Sequence, residues 1–412
     1  MRPKPHHPLP PIHTSSLERG FQFAFVPTDV QARPTRPVPL CASTGQRRPS
    51  FRRRIAFGTR FVLGLLGLGL VFLSATGAQA AVSITAGTGG TSLSADKAQN
   101  ATAPAFTTLG NIVILEGANG DFATGTGVTL ILTAPSGWRF NAGTGTATAA
   151  KISGSGGPEI AVNSFTVTAT NMTVNMTVSA AAQINSLTIS GIQVQATDGA
   201  VVPSSGDIFR ATGNAGTATV SGITTTANVT GSGGSSFGSL SQTAGAIKKL
   251  GFATQPGSAT AGAIFGVQPV VKTQDQFGNN STSGLGASLL VTNTLSAGTG
   301  PLQGTTSFDI GTSAGNGTVT YTNLRIDAAG NGKQLTAAAT GLTSGLSSTF
   351  AVSAAAAANF VVAGHPSPVT AGATNNFTVT ARDAFGNTAT GYTGTAHFTS
   401  SDGQAVTRSA RR

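Results

Sequence analysis

The string KLGFATQPGSATAGAIFGVQPVVKTQDQFGN, residues 249–279, returns as NFVVAGHPSPVTAGATNNFTVTARDAFGN, residues 359–387. Pro256 matches Pro366, and Ala261-Gly262 matches Ala371-Gly372, each 110 residues further on. Asp275-x-Phe277-Gly278-Asn279 matches Asp383-x-Phe385-Gly386-Asn387, 108 residues on, so a two-residue gap reconciles the offsets. A period of this size exceeds that of solenoid repeats and suits one whole β-sandwich of about 100 residues. Between the copies, Val319-Thr320-Tyr321, Leu324-Arg325-Ile326 and GLTSGLSSTFAV (341–352) read as the closing strands of the first copy. Five alanines, Ala354–Ala358, read as a short linker.

Upstream of the repeat the pattern has period two. Val128, Leu130 and Leu132 fall on one face of VTLILT. Met172, Val174, Met176 and Val178 alternate with Thr173, Asn175 and Thr177. An apolar face opposite a Thr/Asn face predicts a strand with one side in a core and the other in water. Thr170-Asn171, between two such runs, predicts a hairpin turn. Leu187-Thr188-Ile189 and Ile192-Gln193-Val194 follow, parted by Gly191. The Gly/Ser-rich stretch Gly231–Ser239 reads as a flexible linker to the repeats.

Composition agrees with strands and turns. Gly numbers 55, and charged residues make up only 9% of the chain. β-Branched residues stiffen extended backbone, while Gly and Asn accept the positive φ of tight turns. The net charge of +11 is concentrated in the leader: residues 1–80 hold eleven basic and two acidic side chains, whereas residues 81–407 carry a net −1. A near-neutral body has no electrostatic footprint for nucleic acid. The single cysteine, Cys41, lies in the leader, so the body must cohere by packing without disulfides.

The leader reads as a secretory signal. Arg52-Arg53-Arg54 and Arg60 precede the apolar run FVLGLLGLGLVFLSA from Phe61, and Ala78-Gln79-Ala80 forms a small-x-small site with cleavage before Ala81. A membrane helix is the competing reading, but about 20 strongly apolar residues are needed to span. Localisation is therefore read as secreted or cell-surface by the Sec route. The alternative is anchorage by an uncleaved helix near 61–80, the chain's sole expected contact with membrane. Residues 1–50, rich in Pro, Arg and His, read as a disordered extension or a mis-assigned start, and His6, His7 and His13 receive no role. The expected organisation is thus leader 1–50, signal peptide 51–80, a β-sandwich domain over 82–243, a complete repeat over 249–353 and a truncated one over 359–412. The fold class is all-β, in tandem immunoglobulin-like sandwiches behind the leader and a signal-peptide helix.

Residues 249–411 resemble the bacterial immunoglobulin-like repeats of surface and adhesin-type proteins, with features of invasin-like and filamin-like modules. The carrying motifs are the opening F-x-x-x-P…AG, the central D-x-F-G-N and the closing GLTS…S-x-F-x-V. The strings LGNIVILEGANGDF, TLILTAPSGWRFNAG and LTISGIQVQATDGA resemble a β-sandwich found near the N-termini of large exported bacterial proteins. The resemblance implies a non-enzymatic stalk or surface-binding protein with an unknown surface ligand or glycan as partner. The alternative is a carbohydrate-binding module of a larger exported protein.

Catalytic sets are scarce. There is no H-E-x-x-H and no P-loop, and Ser401, His397 and Asp402 lie too close along one strand to form a triad. Glu116 and Glu159 are the only glutamates of the body, too few for a glycosidase pair to be expected among scattered acids. Asp275 and Asp383 are candidate calcium ligands, helped by Asn279 and Asn387. The preferred reading is a β-turn in which Asp caps backbone N–H groups. Trp138, the only tryptophan, is the candidate ligand contact; exposed it could stack on a sugar, and buried it would anchor a core. No cofactor or other metal is expected.

Overall fold

Alternation along Asn171–Val178 sets the pattern for the N-terminal region. Its apolar side chains, Met172, Val174, Met176 and Val178, are all buried, and its Thr and Asn side chains are half-buried. The strand is central, pairing antiparallel with Gly125–Thr133 on one side and Ile160–Val167 on the other. The Thr168–Asn171 turn closes the second pair: Thr168 N–H donates to the Asn171 carbonyl at 2.8 Å, and the Asn171 N–H donates to Thr168 Oγ1 at 3.0 Å.

A computed structural model describes residues 81–370, 372–401, 403–404 and 410–411. The leader and the expected signal segment, with Cys41, Ala78 and Ala80, lie outside the described residues, as does Asp402. The described chain is all-β. Its one helix is a single 3-10 turn, Ala95–Lys97, capped by Ser94 Oγ, which accepts from the Asp96 N–H.

Over residues 82–243 four sheets surround one core. A four-stranded antiparallel sheet runs in the order Ser83–Thr85, Ile112–Leu115, Ile184–Ser190, Thr146–Ser153. A smaller sheet places Gln193–Ala196 between Thr107–Thr108 and Trp138–Phe140. Ile114, Leu130, Leu132, Phe140, Leu187, Ile189 and Phe237 meet in this core. A separate core gathers Leu250, Phe265, Val271, Val291, Tyr321, Leu335, Ala337, Phe350 and Val352. There Val270–Gln274 lies between Lys249–Thr254 and Thr318–Thr320. A second sheet centres on Leu290–Ala297 and Gly330–Ala338.

Gly231–Ser239, expected to be a flexible linker, is not one. Phe237 is fully buried in the first core, its N–H donates to the Ile208 carbonyl at 2.8 Å, and Ile208 N–H donates to the Gly238 carbonyl at 2.9 Å. Ser239–Thr243 then pairs with Ser205–Asp207 and with Leu93–Ser94. One aromatic in a Gly/Ser run is enough to anchor it, since burying a phenyl ring is worth about 1.5–3 kcal/mol. The first connection is instead the five residues 244–248, between Thr243 and Lys249; the five alanines 354–358 connect the strands ending at Ser353 and starting at Asn359.

Cohesion comes from these cores. The ion pair Arg325–Asp327, at 3.2 Å with the Arg325 side chain 43% exposed, contributes at most about 1 kcal/mol. Leu130→Ala, at a fully buried position, is therefore expected to cost about 2–5 kcal/mol in chemical denaturation. Thr166→Ala, at an exposed position on the far strand of the same sheet, is expected to stay within about 0.5 kcal/mol. Equal losses would mean that period two does not define the core.

Candidate functional site: the two Asp-x-Phe-Gly-Asn turns

Both copies of D-x-F-G-N form the same turn. Asp275 N–H donates to the Asn279 carbonyl at 2.9 Å, and Asp383 N–H donates to the Asn387 carbonyl at 2.9 Å. Gly278 and Gly386 occupy the left-handed region, φ 98° and 84°, where a side chain would be strained. Each turn follows directly on a strand, Val270–Gln274 or Thr378–Arg382, so it projects from one end of its sheet.

The aspartates are buried, and their oxygens are filled by N–H donors. Asp275 Oδ1 accepts from the backbone N–H groups of Phe277, Gly278 and Asn279 at 2.9–3.0 Å. Its Oδ2 accepts from Asn279 Nδ2 at 2.8 Å and from the Gly245 N–H at 2.9 Å. Asp383 repeats the scheme: Oδ1 takes Phe385 and Asn387 N–H, and Oδ2 takes Asn387 Nδ2 and the Ala355 N–H. A buried carboxylate is costly unless its lone pairs are satisfied, and charge-assisted bonds of this kind are among the stronger ones. Gly245 and Ala355 are each the second residue of a five-residue connection. Each aspartate therefore pins its own turn and the incoming chain at once.

The asparagine and phenylalanine reach back to the preceding region. Asn279 Nδ2 donates to the Gly199 carbonyl at 2.8 Å, and the Phe277 ring lies against the Gly199 α-carbon, leaving no room for a Cβ. Asn387 Nδ2 donates to the Asp327 carbonyl and its Oδ1 accepts from the Ala329 N–H, both at 2.8 Å. The Phe385 ring covers the α-carbon of Gly262 in the same way. The first junction is reinforced by Asp96, which accepts from the Ala246 N–H at 2.7 Å and from Gln276 Nε2 at 2.8 Å. Gln276 Oε1 in turn accepts from Thr102 N–H and Oγ1. The Gly199 loop is itself held by Asn100 and Asp198, bonded at 2.8 Å. The N–H of Ala200, and then the Asn100 amide, hold the Asp198 carboxyl below the usual carboxylate range against a small opposing effect of burial.

This geometry fits the capping reading of Asp275 and Asp383. Calcium binds six to eight oxygen ligands. Here the aspartate oxygens face N–H groups, and Asn279 and Asn387 turn their amide nitrogens toward them. Among the described residues no group of three or more His, Cys, Asp or Glu side chains could hold a metal ion. Trp138 is 4% exposed within the first core, so its indole offers no face for a sugar; this corrects its candidacy as a ligand contact. The outward neighbour Arg139 instead stacks over Phe106 at 4.9 Å. Glu116 and Glu159 are also buried caps. Glu116 accepts from Phe122 N–H and from the Asn185 backbone and side chain, and Glu159 accepts from Ala182 and Gln183 N–H. Of the expected cleavage residues only Ala81 is among those described; it is exposed, and the next residue, Val82, is buried, its N–H donating to the Ser221 carbonyl.

The roles of Phe277, Phe385, Gly199 and Gly262 were not legible in the motif. The available signal was a repeated aromatic inside a polar turn, where solvation alone gives no reason for a phenyl ring.

Two outcomes test the junctions. Gly199 has no left-handed backbone to relieve, so Gly199→Ala acts only by driving its Cβ into Phe277. It is expected to cost about 1–3 kcal/mol and to speed trypsin cleavage at Lys248 and Lys249, and Phe277→Ala in the same chain is expected to add no further loss. Additive losses would mean that ring and glycine do not share a contact. The second outcome concerns acid. Burial pushes the Asp383 carboxyl up, but the Asn387 amide and the N–H groups of Ala355, Asn387 and Phe385 together hold it below its ordinary value. The unfolded chain then binds the proton more readily, so this stability is present above about pH 4 and is lost as pH falls through the lower folded value. Urea midpoints measured from pH 6 down to pH 2.5 are expected to fall less steeply for Asp383→Asn, which starts lower.

Comparison with protein-family models, curated proteins and solved structures yields no match to this chain, so its functional reading rests on the geometry of these junctions.

Proposed function

We propose that the chain is an exported, non-enzymatic structural protein whose immunoglobulin-like β-sandwich modules form a stalk or surface-binding unit. One observation carries the reading: successive segments are joined twice by the same clasp of Asp, Phe and Asn, across connections of equal length. A chain evolved only to tether its parts flexibly has no need to bury a carboxylate at each joint, whereas a spacer that must hold its direction does. The buried carboxylates Asp275, Asp383, Glu116 and Glu159 all serve as caps, which supports a structural role for them. The near-neutral body supports a partner other than nucleic acid. The signal-like leader supports export to the medium or cell surface.

The test is the rigidity of the first junction. Spin labels at Thr166 and Leu290, exposed sites on either side, are expected to give one narrow distance distribution in the full chain. Asp275→Ala is expected to broaden it, because it removes the acceptor shared by turn and connection. A broad distribution in the unaltered chain would exclude the stalk.

A further inference from the structure

The two joints share a frame and differ at one pair of positions. Leu93–Ser94 runs parallel to Ser239–Thr243, the strand that leads into the first connection, and Ser94 stands beside Thr243. Ala259–Thr260 runs parallel to Phe350–Ser353, the strand that leads into the second, and Thr260 stands beside Ser353. Two residues on from these pairs come Asp96 and Gly245 in the first joint, and Gly262 and Ala355 in the second. The match is supported by the bonds: Asp275 accepts the Gly245 N–H, and Asp383 accepts the Ala355 N–H. The intervening residues, Ala95 and Ala261, are both buried. Asp96 and Gly262 thus occupy equivalent places, as do Gln276 and Ala384 inside the two D-x-F-G-N turns. In the first joint these places hold a bonded pair. Gln276 Nε2 donates to Asp96 Oδ1 at 2.8 Å, and Gln276 Oε1 accepts from the Thr102 N–H at 3.0 Å and from Thr102 Oγ1 at 2.8 Å. In the second joint the residue types forbid such a pair, since glycine has no side chain and alanine only a methyl. The Phe385 ring lies on Gly262 there, whereas Phe277 lies on Gly199.

We infer that Gln276 and the Asp96–Thr102 surface are a recognition pair that fixes which segment the first repeat docks against, and so the order of the segments. This pairing rests on the stalk reading and says what sets the sequence of its parts. The aspartate and asparagine common to both turns bind backbone groups, which any β-sandwich offers, so they hold a joint without choosing a partner. Choice requires a penalty for the wrong combination. A turn with alanine at the second position, docked on the 82–243 region, would leave Asp96 Oδ1 and the Thr102 N–H without their partner. A turn with glutamine there, docked on Gly262, would bring in an amide that meets no carboxylate. Gln276 is therefore a specificity-determining residue, and Ala384 suits a surface that ends in glycine.

The test is an exchange of chemistry within the pair in the full chain, read by hydrogen–deuterium exchange at the Gly245 and Ala246 amides. Gln276→Glu sets a carboxylate against Asp96 and is expected to speed their exchange by about tenfold or more. Asp96→Asn alone is expected to speed it too, because Gln276 Nε2 then meets a second donor. The double variant restores a donor–acceptor pair with the roles reversed and is expected to return within about threefold of the unaltered chain. Ala384→Gln is expected not to slow exchange at the Ala355 amide, since Gly262 offers no acceptor. Unchanged exchange at Gly245 and Ala246 in Gln276→Glu, absence of rescue in the double variant, or slower exchange at Ala355 in Ala384→Gln would overturn the inference. Faster exchange at Leu130 and Leu335 in Gln276→Glu would also overturn it, by making the pair a support of the cores. Exchange reports the contact and spin-label distances report direction, so rescue together with a broad distance distribution would remove the stalk and leave the recognition pair standing.

Discussion

The carboxylate of Asp275 accepts five N–H groups from two directions, and the arrangement of the chain around it follows from that requirement. A charge that is fully buried must have every lone pair engaged or be expelled to water. Three donors come from its own turn, which fixes the turn. The Gly245 N–H comes from the connection, which fixes where the chain enters. The Asn279 amide, held by the same carboxylate, then has one N–H left to place, and it finds the Gly199 carbonyl. Local satisfaction of one side chain is thereby converted into an orientation between two cores.

The same logic at Asp383 gives the repeat a physical meaning. The motif binds backward: its Asp holds the connection, its Asn bonds the previous segment's backbone, and its Phe needs a glycine to lie against. Gly262 belongs to the Ala-Gly pair that recurs with the motif. The first copy therefore contributes one side of a joint through its D-x-F-G-N turn and one side of the next through Gly262 and the Asp327 carbonyl. Without cysteine in the body, such joints and the apolar cores supply the cohesion that disulfides provide in cysteine-rich domains.

Phe237 and Trp138 show where reading from composition and from residue type diverges. Gly231–Ser239 has the composition of a linker, yet one ring buried against Ile208 turns it into the closing element of the first core. Trp138 has the chemistry of a sugar platform, but alternation along Trp138-Arg139-Phe140 puts the indole inward with Phe140 and the guanidinium outward. For Phe237 the deciding neighbour, Ile208, is remote in sequence; for Trp138 local alternation set the face, and pairing with Gln193–Ala196 placed that face in the core.

Strand periodicity was determined by the sequence alone, because alternation is a property of adjacent residues: Met172, Val174, Met176 and Val178 point one way in any register. The 110-residue repeat and its turns were equally legible, since Asp and Gly shape a turn through groups at most four residues away. Only the tertiary structure decided what those turns hold. The Gly199 carbonyl lies 80 residues from Asn279, and the Asp327 carbonyl 60 from Asn387. No local pattern encodes a hydrogen bond to a backbone atom, which every residue possesses; its choice depends on which carbonyl the packed sheets bring within reach.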